Sequence, residues 1–247
     1  MATLFFLHAL GASARSFDAV IARLEGMACV ALDLPGFGDR SGEAYRDVAG
    51  MADDVARTIA ARGAERCILV GHSMGGKIAT VLAARRTLPV AGVVLVAGSP
   101  PSPEPIEDAR RSDMLGWLDG ATIARPHAEA FVDANCATPL PDAVRERAVA
   151  DVCRSNPAAW RGWLDAGADE DWAARVGTID LPATIVAGGG DGDLGEAAQR
   201  RLNLPHYPRG TVEVVAGAAH LIPYEKPGAL AAVLREAIRT LPGSAPR

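Results

Sequence analysis

A serine between glycines, Gly71-His72-Ser73-Met74-Gly75, follows a strand-like run, Arg66-Cys67-Ile68-Leu69-Val70, and precedes a helical run from Lys77 to Arg86. On a sharp strand-to-helix turn a serine hydroxyl stands exposed above the sheet, and glycines flank it because a Cβ there would strike neighbouring backbone. The five-residue pattern alone also occurs in Gly- and Ser-rich loops. Strand, elbow and helix together point to a nucleophile, and Ser73 is the candidate. A serine hydroxyl becomes a useful nucleophile when a histidine takes its proton, and that histidine needs a carboxylate to fix its tautomer and stabilise its charge.

Chain order supplies both partners. His220 follows Thr211-Val212-Glu213-Val214-Val215-Ala216, a β-branched run read as the last strand, so it falls at that strand's carboxyl end. His206 precedes the same strand, on the opposite edge of the sheet from Ser73. His72 lies inside the elbow and His8 ends the first strand, where structural hydrogen bonding is expected; His127 falls in an inserted segment at the surface. For the acid, Leu181 to Gly188 reads as a buried strand, and Gly189-Gly190-Asp191-Gly192-Asp193 forms the turn at its carboxyl end. Asp191 and Asp193 are both candidates. The competing reading for each is an ordinary turn or N-cap residue, and Asp193, just before a helix starting near Gly195, fits a cap better.

The elements that must position these residues follow from the same patterns. Six parallel strands are expected near residues 3–8, 28–33, 66–71, 91–97, 182–188 and 211–216, with 28–33 at an edge. Between Ala97 and Pro182 lie about eighty residues, far more than a crossover helix needs. This stretch opens with Pro100, Pro101, Pro103 and Pro105 and then reads as short helices near 106–119, 126–135, 141–154, 157–166 and 169–176.

With Ser73, Asp191 and His220 in that order, the chain resembles the α/β-hydrolase superfamily. The resemblance rests on Phe6-Leu7-His8-Ala9-Leu10-Gly11, Leu32-Asp33-Leu34-Pro35-Gly36-Phe37-Gly38, the GHSMGGK elbow, the GGGD turn at 188–191, and Ala219-His220-Leu221-Ile222-Pro223-Tyr224-Glu225-Lys226-Pro227. It implies an α/β fold with a mostly parallel sheet of about six strands, lacking the usual first two, and an inserted helical cap. The core would comprise 1–102 and 178–247, and the cap 103–177. The family's Gly-x-x-Asp spacing from Gly188 selects Asp191 as the acid. The resemblance also implies an oxyanion hole from the backbone N–H groups of Met74 and Leu10, although His-Gly-x-Gly is customary in the first loop and alanine stands here at position 9. Small carboxylesterases and thioesterases share such elbows, so the implied activity is hydrolysis of a carboxylic ester or thioester through an acyl-enzyme. Alternatives on the same triad are a lyase or synthase of the menaquinone-pathway type, which abstracts a proton, and a receptor-like ligand-binding protein with a slow triad.

All four tryptophans, Trp117, Trp160, Trp163 and Trp172, fall in the insertion. Packing of the cap is the expected role for most, with Trp117, Trp160 and Trp163 the candidates for an apolar substrate pocket. Lys77 is expected to face solvent or a nearby carboxylate, Asp33 to brace the Leu34–Gly38 loop, and Asp53 and Asp54 to lie on a solvated helix face.

Composition agrees with an enzyme of this kind. At 247 residues and 49% hydrophobic, the chain can bury one α/β core with an insertion, and its net charge of −5 offers no footprint for nucleic acid or anionic membrane. Cys29, Cys67, Cys136 and Cys153 lack metal-ligand spacing, and no dinucleotide or phosphate loop appears, so neither metal nor cofactor is expected. No stretch approaches the ~20 apolar residues of a membrane span, and the N-terminal run lacks the positive residue of a secretion signal. The expectation is a cytoplasmic protein, monomer or homodimer, with a small-molecule substrate.

Overall fold

The computed structural model describes residues 2–44, 47–119 and 122–241; of the spans expected for core and cap, 1, 45–46, 120–121 and 242–247 lie outside the described residues. Six strands, β1 (Thr3–Leu7), β2 (Ala28–Leu32), β3 (Cys67–His72), β4 (Val90–Val96), β7 (Ala183–Gly188) and β8 (Gly210–Val215), form one sheet in the order β2-β1-β3-β4-β7-β8. Every pairing in it is parallel. Central β3 is buried throughout, as its unbroken apolar run requires, whereas edge strand β8 is only partly covered, with Thr211, Glu213 and Val214 exposed. Strand β2 is the other edge, as expected.

Helices cover both faces of the sheet. One face packs α1 (Asp18–Ile21) and α11 (Pro227–Arg239), with Phe17, Val20, Leu230 and Leu234 buried against Leu4, Phe6, Ile68 and Val94. The other packs α2 (Val48–Ala61) and α3 (Met74–Arg85), with Met51, Val55, Ile78 and Leu82 against Phe5, Leu7, Leu69 and Leu95. Between β4 and β7 the chain forms α4 (Asp108–Gly116), α5 (Arg125–Ala134), α6 (Asp142–Cys153), α7 (Pro157–Gly162), a π-helical turn at Trp163–Gly167, and α8 (Ala173–Val176). These match the expected short helices. Two short antiparallel strands, β5 (Leu118–Asp119) and β6 (Thr122–Ile123), lie among them, where the sequence pattern reads only as helices. Two short helices, α9 (Glu196–Ala198) and α10 (Ile222–Glu225), follow the loops after β7 and β8.

Two of the sequence expectations need correction here. Lys77 does not face solvent: it is fully buried, and its Nζ donates to the carbonyl oxygens of Gly167 (3.2 Å), Ala168 (2.8 Å) and Glu170 (3.0 Å), with the Trp163 ring 5.7 Å away. Helix α3 lies between the sheet and the inserted segment, so a polar residue on it meets protein on every side, and carbonyls left free at the end of the π turn replace its water. Burial pulls its pKa down to about 8, against the opposing charges of Glu104, Glu170, Asp169 and Asp171. Asp54 is likewise buried and held by Arg40 and Arg57, while Asp53 stays exposed and pairs with Arg85.

Candidate active site

Ser73 occupies the turn between β3 and α3 with φ +49° and ψ −119°, a strained conformation for a residue with a side chain. The glycines around it are enforced by contact. A Cβ on Gly71 would lie 2.4 Å from Gly75 O, and one on Gly75 would lie 2.3 Å from Leu7 O. The elbow is locked from below as well, since Ser73 N–H donates to Val96 O (3.0 Å) and Ser99 N–H donates to Ser73 O (3.0 Å).

The loops after β7 and β8 meet beside this turn because Gly188 carries no side chain: a Cβ there would lie 1.9 Å from Ala219 O. His220 Nδ1–H donates to Asp191 Oδ2 at 2.8 Å. The other oxygen of Asp191, Oδ1, accepts from the backbone N–H groups of Asp193 (3.1 Å) and Leu194 (3.0 Å), so the carboxylate is oriented by its own turn. Burial pushes the Asp191 carboxyl up, but the His220 hydrogen bond and charge, with the two turn amides, outweigh it and leave it below the usual carboxylate range. Burial pushes His220 down, but the hydrogen bond and charge of Asp191, with the charge of Glu104, leave it raised.

Asp193 does not cap the following helix. Gly195 is the N-cap of α9, and the Asp193 carboxylate pairs instead with Arg110 of α4, which also donates to Asn135 Oδ1 (3.2 Å). The turn formed by Asp191 bends the chain before α9, and this carries Asp193 outward to the inserted segment.

Each of the other histidines has a structural hydrogen bond or sits away from Ser73. His72 Nε2–H donates to His220 O (2.9 Å), and burial with the neighbouring His220 lowers its pKa to about 3, so it stays neutral. His8 Nε2 accepts from Leu34 N–H (3.0 Å), and Asp33 accepts from Ala14 N–H (2.7 Å) and Asp39 N–H (2.9 Å), which fixes the loop after β2. His206 ends the short turn Leu204–His206 that precedes β8, bonded to Gly177 O (2.7 Å), and His127 stacks on Trp117.

Ser73, His220, Ala9 and Leu10 share a narrow cavity of about 50 Å³, closed by Ile106, Met114, Phe131, Trp163, Leu164 and Leu194 and carrying Glu104, Arg110, Asn135 and Asp193 as its polar side chains. Met74, whose amide is the first donor of α3, is buried beneath it. No hydrogen bond engages the Leu10 N–H among the described residues. Of the tryptophans, Trp163 lines the cavity. Trp160 does not: its ring packs edge-on against Phe131 (centroids 5.3 Å), and its indole N–H donates to Met114 O (3.0 Å). Trp117 stacks behind it on His127. Sequence reasoning missed Glu104, Arg110 and Asn135, whose carbonyl oxygen accepts from His220 N–H (3.0 Å) and Leu221 N–H (3.1 Å) and so holds the histidine loop. Among the described residues no cluster of His, Cys, Asp or Glu could hold a metal ion, and no helix is long and apolar enough to cross a membrane.

The sequence model of the alpha/beta hydrolase family matches residues 4–233. The chain belongs to that family. Similar α/β-hydrolases include a pimeloyl-[acyl-carrier protein] methyl ester esterase of Neisseria meningitidis serogroup B, 31% identical over 209 residues that cover 80% of this chain and 80% of that protein. A 2-succinyl-6-hydroxy-2,4-cyclohexadiene-1-carboxylate synthase of an Enterobacter species is 28% identical over 244 residues, 96% of this chain and 91% of that protein. Among solved α/β-hydrolase structures, an esterase from Exiguobacterium antarcticum superposes with a TM-score of 0.83 at 18% identity, covering 97% of this chain and 92% of its own.

Proposed function

We propose that this protein is a serine hydrolase that cleaves a carboxylic ester or thioester through an acyl-enzyme, with Ser73 as nucleophile, His220 as base and Asp191 as the acid that orients it. The observation that carries the reading is a strained, cavity-lining Ser73 in the same small cavity as a histidine whose Nδ1–H is committed to a buried aspartate. That commitment leaves His220 Nε2 as the basic nitrogen. Ser73 Oγ attacks the carbonyl carbon and passes its proton to Nε2, while the N–H groups of Leu10 and Met74 hold the oxyanion. The tetrahedral intermediate collapses, the C–O or C–S bond breaks, and His220 gives its proton to the leaving alcohol or thiol. Water then repeats the sequence on the acyl-enzyme, with His220 taking its proton, and the acid is released.

In the same proposal the helical segment 103–177 is a cap that shapes the cavity and supplies no group to bond making. The Lys77 hydrogen bonds tie it to the helix that follows the nucleophile.

A second reading, proton abstraction by the same triad, is favoured by the similarity to the Enterobacter synthase over nearly the whole chain. Against it, a carboxylate such as that synthase's name contains finds no unpaired cation in this cavity: among the described residues Arg110 is matched by Asp193.

A fluorophosphonate probe separates the readings together with p-nitrophenyl esters of graded chain length. The proposal expects stoichiometric labelling and ester turnover in the wild type, and loss of both in Ser73→Ala. Labelling that survives Ser73→Ala, or a labelled wild type that turns over no ester, overturns it.

A further inference from the structure

Unlike the paired Arg110 and Asp193, one carboxyl group of the cavity has no ion-pair partner among the described residues, and it makes or breaks no bond in the mechanism above. Glu104 lies at the start of the inserted segment and lines the cavity with Ser73 and His220. Its position is fixed through the main chain: Glu104 N–H donates to Ala168 O (2.9 Å), the carbonyl that also accepts from Lys77 Nζ (2.8 Å). Its side chain is held at one end, where Oε2 accepts from the Ser99 hydroxyl, and Ser99 N–H is in turn bonded to Ser73 O. No hydrogen bond joins the second oxygen, Oε1, to any described residue, and it is not among the buried side-chain atoms left without a partner, so it keeps accessible surface.

The charges of His220 and Lys77 draw its carboxyl down, but no cation forms an ion pair with it among the described residues. Arg110 is occupied by Asp193 and Asn135, and Lys77 is occupied by three carbonyl oxygens. His220 is committed to Asp191. The rest of the wall is largely apolar, contributed by Ile106, Met114, Phe131, Trp163, Leu164 and Leu194. A carboxyl group with an unused oxygen in such a cavity gains from a ligand that brings a donor and loses from one that brings a second carboxylate.

We infer that Glu104 determines specificity: it accepts a hydrogen bond from an ammonium or hydroxyl group carried by the substrate close to the reacting carbonyl, and it rejects substrates with a carboxylate there. The reaction itself rests on the ester-hydrolase reading; the recognition does not, and can be measured without turnover. Burial raises the Glu104 carboxyl, against the Ser99 hydrogen bond and the charges of His220 and Lys77; a substrate ammonium favours its charged form and makes a charge-assisted hydrogen bond, so it is preferred over a hydroxyl.

The test uses short methyl esters of matched length ending in ammonium, hydroxyl, methyl or carboxylate, followed by pH-stat, and the matching carboxamides titrated into Ser73→Ala by calorimetry. Glu104 also acts on His220 by charge, which scales all substrates together, so the readout is the ratio between substrates. Donor-bearing esters are expected to exceed the methyl-terminated one in kcat/KM by roughly 10- to 100-fold, with the same ratio in carboxamide affinity. Glu104→Leu abolishes both ratios. Glu104→Gln, which preserves shape and the Ser99 bond, keeps the hydroxyl preference and loses most of the ammonium preference. Equal binding of donor-bearing and methyl-terminated carboxamides, or a ratio unchanged in folded Glu104→Leu, overturns the inference. If donor-dependent binding holds but no ester is turned over, the hydrolase reading falls and the inference stands; ester turnover without donor preference gives the reverse.

Discussion

Replacing Asp191 by asparagine tests the acid assignment at nearly constant shape. The Asp191 carboxylate has two separate duties: Oδ1 receives the N–H groups of Asp193 and Leu194, and Oδ2 receives His220 Nδ1–H at 2.8 Å. Asparagine keeps an oxygen for the turn but presents an NH₂ group to Nδ1, so the imidazole must carry its proton on Nε2, the nitrogen needed as base. The expected loss in kcat is about 10⁴-fold, or about 5 kcal/mol of transition-state stabilisation. Stability changes by no more than about 1.5 kcal/mol, because one hydrogen bond is weakened and none of the turn is removed. Asp193→Asn is the internal control from the same turn. Its partner Arg110 is 39% exposed and Asp193 is 47% exposed, so the broken pair costs about 0–1 kcal/mol and turnover stays within about tenfold of wild type. Steady-state hydrolysis of p-nitrophenyl acetate, with urea unfolding of each variant, reads both quantities. Near-normal turnover in Asp191→Asn together with an inactive Asp193→Asn would refute the assignment.

Because His220 must be neutral to accept a proton and its pKa is raised, the acid limb of kcat/KM lies above the ordinary histidine value of 6.5; Asp191→Asn removes the raising charge and moves the limb to lower pH, and an unmoved limb in a pH–rate profile would assign it to another group. Trp163→Ala is expected to shift preference toward longer acyl chains by opening the cavity wall, whereas Trp160→Ala costs about 3–5 kcal/mol of stability, measured by urea unfolding, and leaves the preference in place; identical chain-length profiles in the two variants would contradict their different positions. Lys77→Met strips donors from Gly167 O and Glu170 O while Ala168 O keeps Glu104 N–H, so a destabilisation of about 2–5 kcal/mol is expected as a lower urea midpoint at constant slope, and an unchanged midpoint would show that these bonds do not hold the segment on the core.

The features legible in the sequence are those whose cause is local. The apolar run 67–70 had to be a buried strand, and the glycines at 71 and 75 reported a turn too tight for a Cβ. The spacing of strands and turns placed Ser73, Asp191 and His220 at carboxyl ends, and the long stretch after β4 could be nothing shorter than a set of helices. Tertiary structure decided everything that depends on which distant segments meet. Lys77 has the composition of a surface position, and it is buried because the carbonyls of Gly167 and Ala168, 90 and 91 residues away, arrive to replace water around it. Asp193 sits where a cap residue would, but the turn made by Asp191 directs it to Arg110, 83 residues earlier. All the tryptophans look alike in a helical insertion; packing puts Trp163 on the cavity and Trp160 behind it. Glu104 carries no local signal at all, because a lone carboxyl after a proline-rich loop becomes part of a cavity wall only when Ser99, Ala168 and the apolar side chains of α4 and α5 close around it.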